Sequence, residues 1–126
     1  MFANYNYEKF PIINVSLGSI NNDNDFKEFT DKWLELYDRK TKFSFIFDTS
    51  RVGYIHPKYS IYMAIFIKLL KKKPIQYLES STIYVYNNFI YNLLKLIFNI
   101  EKPVAPVTII YNCKEKNITN EYKIYP

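Results

Sequence analysis

Residues 43–70, FSFIFDTSRVGYIHPKYSIYMAIFIKLL, admit few readings other than a strand, a polar turn and a long apolar helix. Phe43, Ser44, Phe45, Ile46 and Phe47 stay apolar at nearly every position, which predicts a strand covered on both faces. Asp48, Thr49 and Ser50 can bond their own backbone and Gly53 permits a tight bend, so the chain turns here. A helix is expected to begin at Pro57, because proline suits the first helical position, where the amide has no intrahelical partner. Tyr59, Met63, Phe66, Ile67 and Leu70 form one stripe of that helix. Tyr62, Ile65 and Leu69 widen the stripe until little polar surface remains, so the helix is expected to be mostly buried. Lys71, Lys72 and Lys73 solvate its end and Pro74 stops it.

The flanking sequence repeats this pattern. Residues 1–9 are polar and tyrosine-rich and read as an arm or short edge strand. A first regular strand is expected over residues 10–17, followed by a polar loop. A helix capped by Asp25 then places Phe26, Phe29, Trp33, Leu36 and Tyr37 at helical spacing. Beyond Pro74, TIYVY (82–86) is a strand, Asn87 or Asn88 caps a helix, and Phe89, Ile90, Leu93, Leu94, Ile97 and Phe98 face inward. Pro103 and Pro106 end that helix before VTIIY (107–111) makes another strand. Residues 112–126 form a tail whose stretch 122–125 is an added edge strand at most. Alternating strands and helices predict an α/β domain with one mainly parallel sheet of four to five strands and right-handed crossovers.

The 126 residues suffice for one domain with its own core. No segment is apolar for long enough to span a membrane, and the amino terminus lacks the regions of a signal peptide, so a cytoplasmic location is expected. One cysteine and one histidine leave no disulfide and no zinc set, and no cofactor is expected. The net charge of +5 permits attraction to anionic surfaces without requiring it.

FIFDTSRVGYIHPKYSIYMAIFIKLLK, then STIYVYNNFIYNLLKLIFNI and VTIIY, resembles the STAS-like domains related to bacterial anti-sigma factor antagonists. In order of elements the resemblance covers residues 10–111. It implies a strand ending at Phe47-Asp48-Thr49-Ser50, a short segment at Tyr54-Ile55, and a regulatory site at the start of the following helix. Signalling members of that family carry an Asp-Ser-Ser-Gly-like sequence there, with a serine phosphorylated by a partner kinase. His56, Pro57, Lys58 and Tyr59 stand at the corresponding positions, so the switch implied by the resemblance is lost, and Ser60 lies one turn further in. YLESSTIYVYNNFIYNLLKLIF also resembles part of the CRAL-TRIO lipid-binding domains, which implies an apolar ligand. That family uses a longer chain to enclose a lipid.

Six residues form the candidate site. Asp48 stands at the carboxyl end of a strand, where open α/β sheets place ligands, although a turn aspartate is the simpler reading. Ser50, Arg51, His56 and Lys58 form a small basic cluster at a helix start, a place that attracts anions, with a solvated loop as the alternative. His56 has no nucleophile beside it and is expected to cap the helix. Tyr59 closes the cluster and belongs, with Tyr54, Tyr62, Tyr84, Tyr86 and Tyr91, to a set able to line an interaction surface. Lys68, Lys71, Lys72 and Lys73 read as a solvated helix end, or as an attachment to acidic lipid or a phosphate backbone. No nucleic-acid recognition module accompanies them, so nucleic acid is not an expected partner. Cys113 reads as a small apolar residue.

The sequence therefore points to a non-enzymatic module that binds a protein partner or a second copy of itself through residues 50–59. The alternative is a small carrier holding a lipid or another apolar ligand between its helices and the sheet, in a cavity of several hundred cubic ångströms.

Overall fold

The computed structural model describes residues 2–113 and 118–126, with side chains described outside 113–124. Six strands and three α-helices follow in the order β1 (Ala3–Asn6), β2 (Ile12–Leu17), α1 (Asp23–Tyr37), β3 (Phe43–Asp48), α2 (Lys58–Leu70), β4 (Leu78–Val85), α3 (Asn88–Ile100), β5 (Val107–Cys113) and β6 (Ile118–Tyr125). They form the expected α/β architecture with one mainly parallel sheet. Strand order in the sheet equals chain order, with β2 to β5 parallel and β1 and β6 antiparallel at the two edges. The edge strands raise the count to six, above the four to five expected.

A sequential parallel sheet has a direct consequence for layering. Every crossover steps the same way, so right-handed connections put all three helices over one face. Burial follows that geometry: Phe43, Phe45 and Phe47 are buried, Ser44 and Ile46 are half-buried, and Asp48 is exposed. The expected cover on both faces of this strand is thus corrected. Ile46 is apolar, but it shares its face with Ser44 and Asp48, and a period of two separates that face from the phenylalanines.

Beneath the helices lies an aromatic core. Trp33 of α1 meets Phe45 with ring centroids 4.7 Å apart, and Phe45 meets Phe47 at 4.8 Å. Phe66 of α2 closes on Trp33 at 5.3 Å, which joins the two helices above the sheet. At one edge the Tyr5 hydroxyl donates to the carbonyl of Phe29 at 2.7 Å, and burial pushes its phenol pKa upward. At the other edge Phe98 packs on Tyr125 at 4.9 Å.

The helix starts come from short polar residues. Asn22, rather than Asp25, caps α1 by accepting the amide of Asp25 at 3.0 Å, while Asp25 reaches back to the amide of Asn21 at 2.9 Å. Asn87 caps α3 in the same way through the amide of Ile90 at 2.9 Å. α2 begins at Lys58, one residue later than expected, with Pro57 in the cap position.

α2 also departs from the expectation that it is mostly buried. Ile61, Ile65 and Leu69 are 54%, 53% and 54% exposed. The sheet, α1 and α3 cover three sides of this helix, and a single helical layer leaves nothing to cover the fourth.

Candidate functional site

The six site residues predicted from sequence divide between two surfaces. Asp48 is exposed at the end of β3, and its Oδ1 accepts the amide of Ser50 at 2.8 Å, which is the bond of a turn aspartate. Its position in the strand alternation turns it to the helix-free face, away from the start of α2. The connection that follows is pinned by buried Val52 and Ile55, while Ser50, Arg51, Gly53, Tyr54 and His56 are exposed. Tyr54 stacks on Phe89 at 5.3 Å, and the Asn87 amide donates to the carbonyl of Val52 at 3.5 Å. The loop is therefore held against the start of α3.

At the start of α2 the polar groups are already engaged. His56 Nδ1 accepts the amide of Lys58 at 3.1 Å, so the imidazole, one residue before the cap position at Pro57, takes up the first amide of the helix. Lys58 Nζ and the Tyr59 hydroxyl converge on one oxygen of Asp23, at 3.1 and 2.8 Å. The phenol of Tyr59 and the ammonium of Lys58 hold the Asp23 carboxyl below the usual carboxylate range. Burial, and then the bond to Asp23, raise the phenol of Tyr59, while the same carboxylate raises Lys58. Ser60, one turn in, is buried, and its hydroxyl donates to the carbonyl of Pro57 at 2.5 Å, which leaves it a poor phosphate acceptor. All four polar residues of the predicted cluster are exposed, His56 and Lys58 with side-chain bonds to neighbours and Ser50 and Arg51 outside those bonds.

The helix-free face of the sheet gathers a second set of residues. A shallow trough of about 410 Å³ crosses β1 to β4 there, lined by Asn4, Asn6, Asn14, Ser16, Ile46, Asp48, Tyr84 and Tyr86. Partial burial, with the Asp48 carboxylate and Tyr84 beside it, holds the phenol of Tyr86 above its ordinary range. The alternating positions of β1 to β5 on this face are Asn4, Asn6, Ile12, Asn14, Ser16, Ser44, Ile46, Asp48, Ser80, Thr82, Tyr84, Thr108, Ile110 and Asn112. Asp48 is the one charged residue among them, and exposed Glu79 stands beside Ser80 where the β3–β4 register shifts. Asn14 and Ser16 were legible as one side of β2, but their union with Asp48, Tyr84 and Tyr86 depends on strand order, which no local pattern encodes.

Between sheet and helices lies an apolar cavity of about 130 Å³, lined in part by Ile67, Leu78, Ile83, Leu94, Ile97 and Val107. Its volume falls below the 300–1,000 Å³ typical of ligand pockets. Among the described residues no group of three or more His, Cys, Asp or Glu could hold a metal ion, and no helix is long and apolar enough to cross a membrane. The side chain of Cys113 lies outside those described. No family model, curated protein or solved structure matches the chain.

Proposed function

We propose that this chain is a non-enzymatic interaction module of the cytoplasm, STAS-like in type, whose partner is a second copy of itself. The observation that carries the reading is the helix-free face of the sheet, which among the described residues is both uncovered and nearly uncharged. In a chain with 23% charged residues, fourteen alternating strand positions contain only Asp48. Depletion of charge distinguishes the centre of a protein interface from ordinary surface. Asparagine, serine, threonine and tyrosine there supply contact area and adaptable hydrogen bonds at low entropic cost.

A second copy fits this face for two further reasons. The net charge of +5 resides elsewhere, so pairing two such faces brings few like charges together. The trough on this face is lined by Tyr84 and Tyr86 together with the short side chains Asn14 and Ser16. A two-fold axis can place the tyrosines of each copy in the recess of the other, as a self-complementary interface requires. The engaged state of His56, Lys58 and Tyr59 supports this face over the start of α2. The small size of the apolar cavity supports an interaction module over a lipid carrier.

Native mass spectrometry and sedimentation equilibrium of the full chain test the reading. A dimer is expected, and Ile46→Lys or Thr82→Lys, both outside the buried core, are expected to give folded monomers. A wild-type monomer at every concentration would overturn the proposal, as would a dimer indifferent to both substitutions.

A further inference from the structure

The opposite side of the molecule carries a different surface. Ile61, Ile65 and Leu69 recur every four residues along α2 and so form a single outward stripe, with Tyr62 beside it. Lys68 follows Ile65 by three residues on the helix, and Lys72 follows Leu69 by three in the turn after α2, so basic residues accompany the stripe. No acidic residue occurs between His56 and Glu79, and Lys68, Lys71, Lys72 and Lys73 are all exposed. Lys71 is bound to Glu101 at 2.5 Å, and Lys73 lies over the ring of Tyr37. α3 also exposes Leu96 and Ile100.

We infer that this face docks on an anionic lipid surface. Its occupant must offer apolar depth and negative charge along the same line. A second copy offers neither combination. Pairing α2 with α2 sets Lys68 and Lys72 against the same lysines. The acidic outer residues of α1, Asp23, Glu28, Asp31 and Glu35, match the charge, but α1 exposes no large apolar side chain to meet the stripe. The helix-free face of the sheet is polar and nearly uncharged. A bilayer containing acidic lipids meets both demands, because aliphatic tips enter below the headgroups while lysine stems extend to bring ammonium groups to the phosphates. The stripe is also the crest of a helix roughly 20 Å long, a convex rod suited to lying in a membrane interface.

The test is flotation of the full chain with vesicles of phosphatidylcholine mixed with phosphatidylserine, against phosphatidylcholine alone. Flotation is expected with the mixed vesicles only, and to weaken as salt rises. Lys68→Glu with Lys72→Glu should lower partitioning by about 25-fold or more, at about fivefold for each lysine charge lost near an acidic surface. Ile61→Ser with Ile65→Ser and Leu69→Ser should lower it as well, with circular dichroism confirming that these exposed changes leave the fold intact. Ile46→Lys, on the other side of the sheet, should float like wild type, so failure of the dimer reading and of this one are separable. Absence of flotation, equal flotation on phosphatidylcholine alone, or insensitivity to either set of variants would overturn the inference. A chain that ignores vesicles but binds polyglutamate through the same lysines would also overturn it, in favour of an acidic protein.

Discussion

The Tyr59 hydroxyl donates a 2.8 Å hydrogen bond to Oδ1 of Asp23, tying the first turn of α2 to the first turn of α1. Lys58 reaches the same oxygen at 3.1 Å, and both bonds favour the ionised carboxylate, so the pKa of Asp23 is lowered. A carboxyl depressed in the folded state stabilises it above the unfolded pKa, and that contribution is lost as pH falls through the folded value. Asp23→Asn is therefore expected to be less stable than wild type at neutral pH. The two urea-unfolding midpoints should converge as pH is lowered through and below the ordinary aspartate range. A gap that stays constant through the acid limb would show that ionisation contributes nothing to this junction.

His56 provides a second measurable connection. Its Nδ1 accepts the Lys58 amide at 3.1 Å, so His56→Ala leaves that amide without its side-chain acceptor. A loss of about 1 kcal/mol, that of an ordinary hydrogen bond, is expected from denaturant unfolding, and His56→Asn, another side-chain acceptor, should recover most of it. Self-association should be unchanged in both variants. A variant that unfolds like wild type but fails to associate would instead return the start of α2 to the centre of the functional argument.

The fold was legible where a local pattern was strong. Phe45 and Phe47, the cap at Asn87, and the breaks at Pro74 and Pro103 all act within a few residues, so sequence spacing reports them, whereas the cap of α1 reads as Asp25 and lies at Asn22. Strand order does not act locally. The sequence of β3 reads as buried on both sides because Ile46 interrupts the polarity of its face, and only the stepping of β2 to β5 in one direction reveals that this face has no helices. The six residues of the predicted site divide between two surfaces for the same reason. Asp48 is adjacent in sequence to Ser50 and Arg51, but the alternation of β3 directs it toward Tyr84 and Tyr86 across the sheet. Likewise α2 looked mostly buried because its composition is apolar nearly all round, whereas burial is set by how many neighbours surround a helix.

The apolar cavity under the helices distinguishes a packing defect from a lipid site. Its volume of about 130 Å³ is close to that of an engineered apolar cavity of about 150 Å³ that stays dry and takes up benzene or xenon. Benzene is accordingly expected to raise the thermal unfolding temperature, since a ligand bound only by the native state stabilises it. Palmitate should leave that temperature unchanged. A rise with palmitate, together with a fatty acid recovered from the purified protein, would establish the carrier reading.

One-sided layering makes its sharpest prediction at two adjacent residues of β3. Phe45 is 1% exposed and packs against Trp33, Phe43 and Phe47, with centroid distances of 4.7, 5.4 and 4.8 Å. Phe45→Ala removes a large ring from the centre of that cluster and should cost about 3–5 kcal/mol, a large fraction of the 5–15 kcal/mol typical of a domain. Ile46, the next residue, is half-buried on the opposite face with no helix above it. Its truncation to alanine should cost only about 1 kcal/mol when measured at concentrations where the chain is monomeric. A strand enclosed on both faces would give comparable losses at the two positions. Comparable losses at higher concentration but unequal ones on dilution would mean that a second molecule supplies the missing layer, because burial of Ile46 would then depend on association.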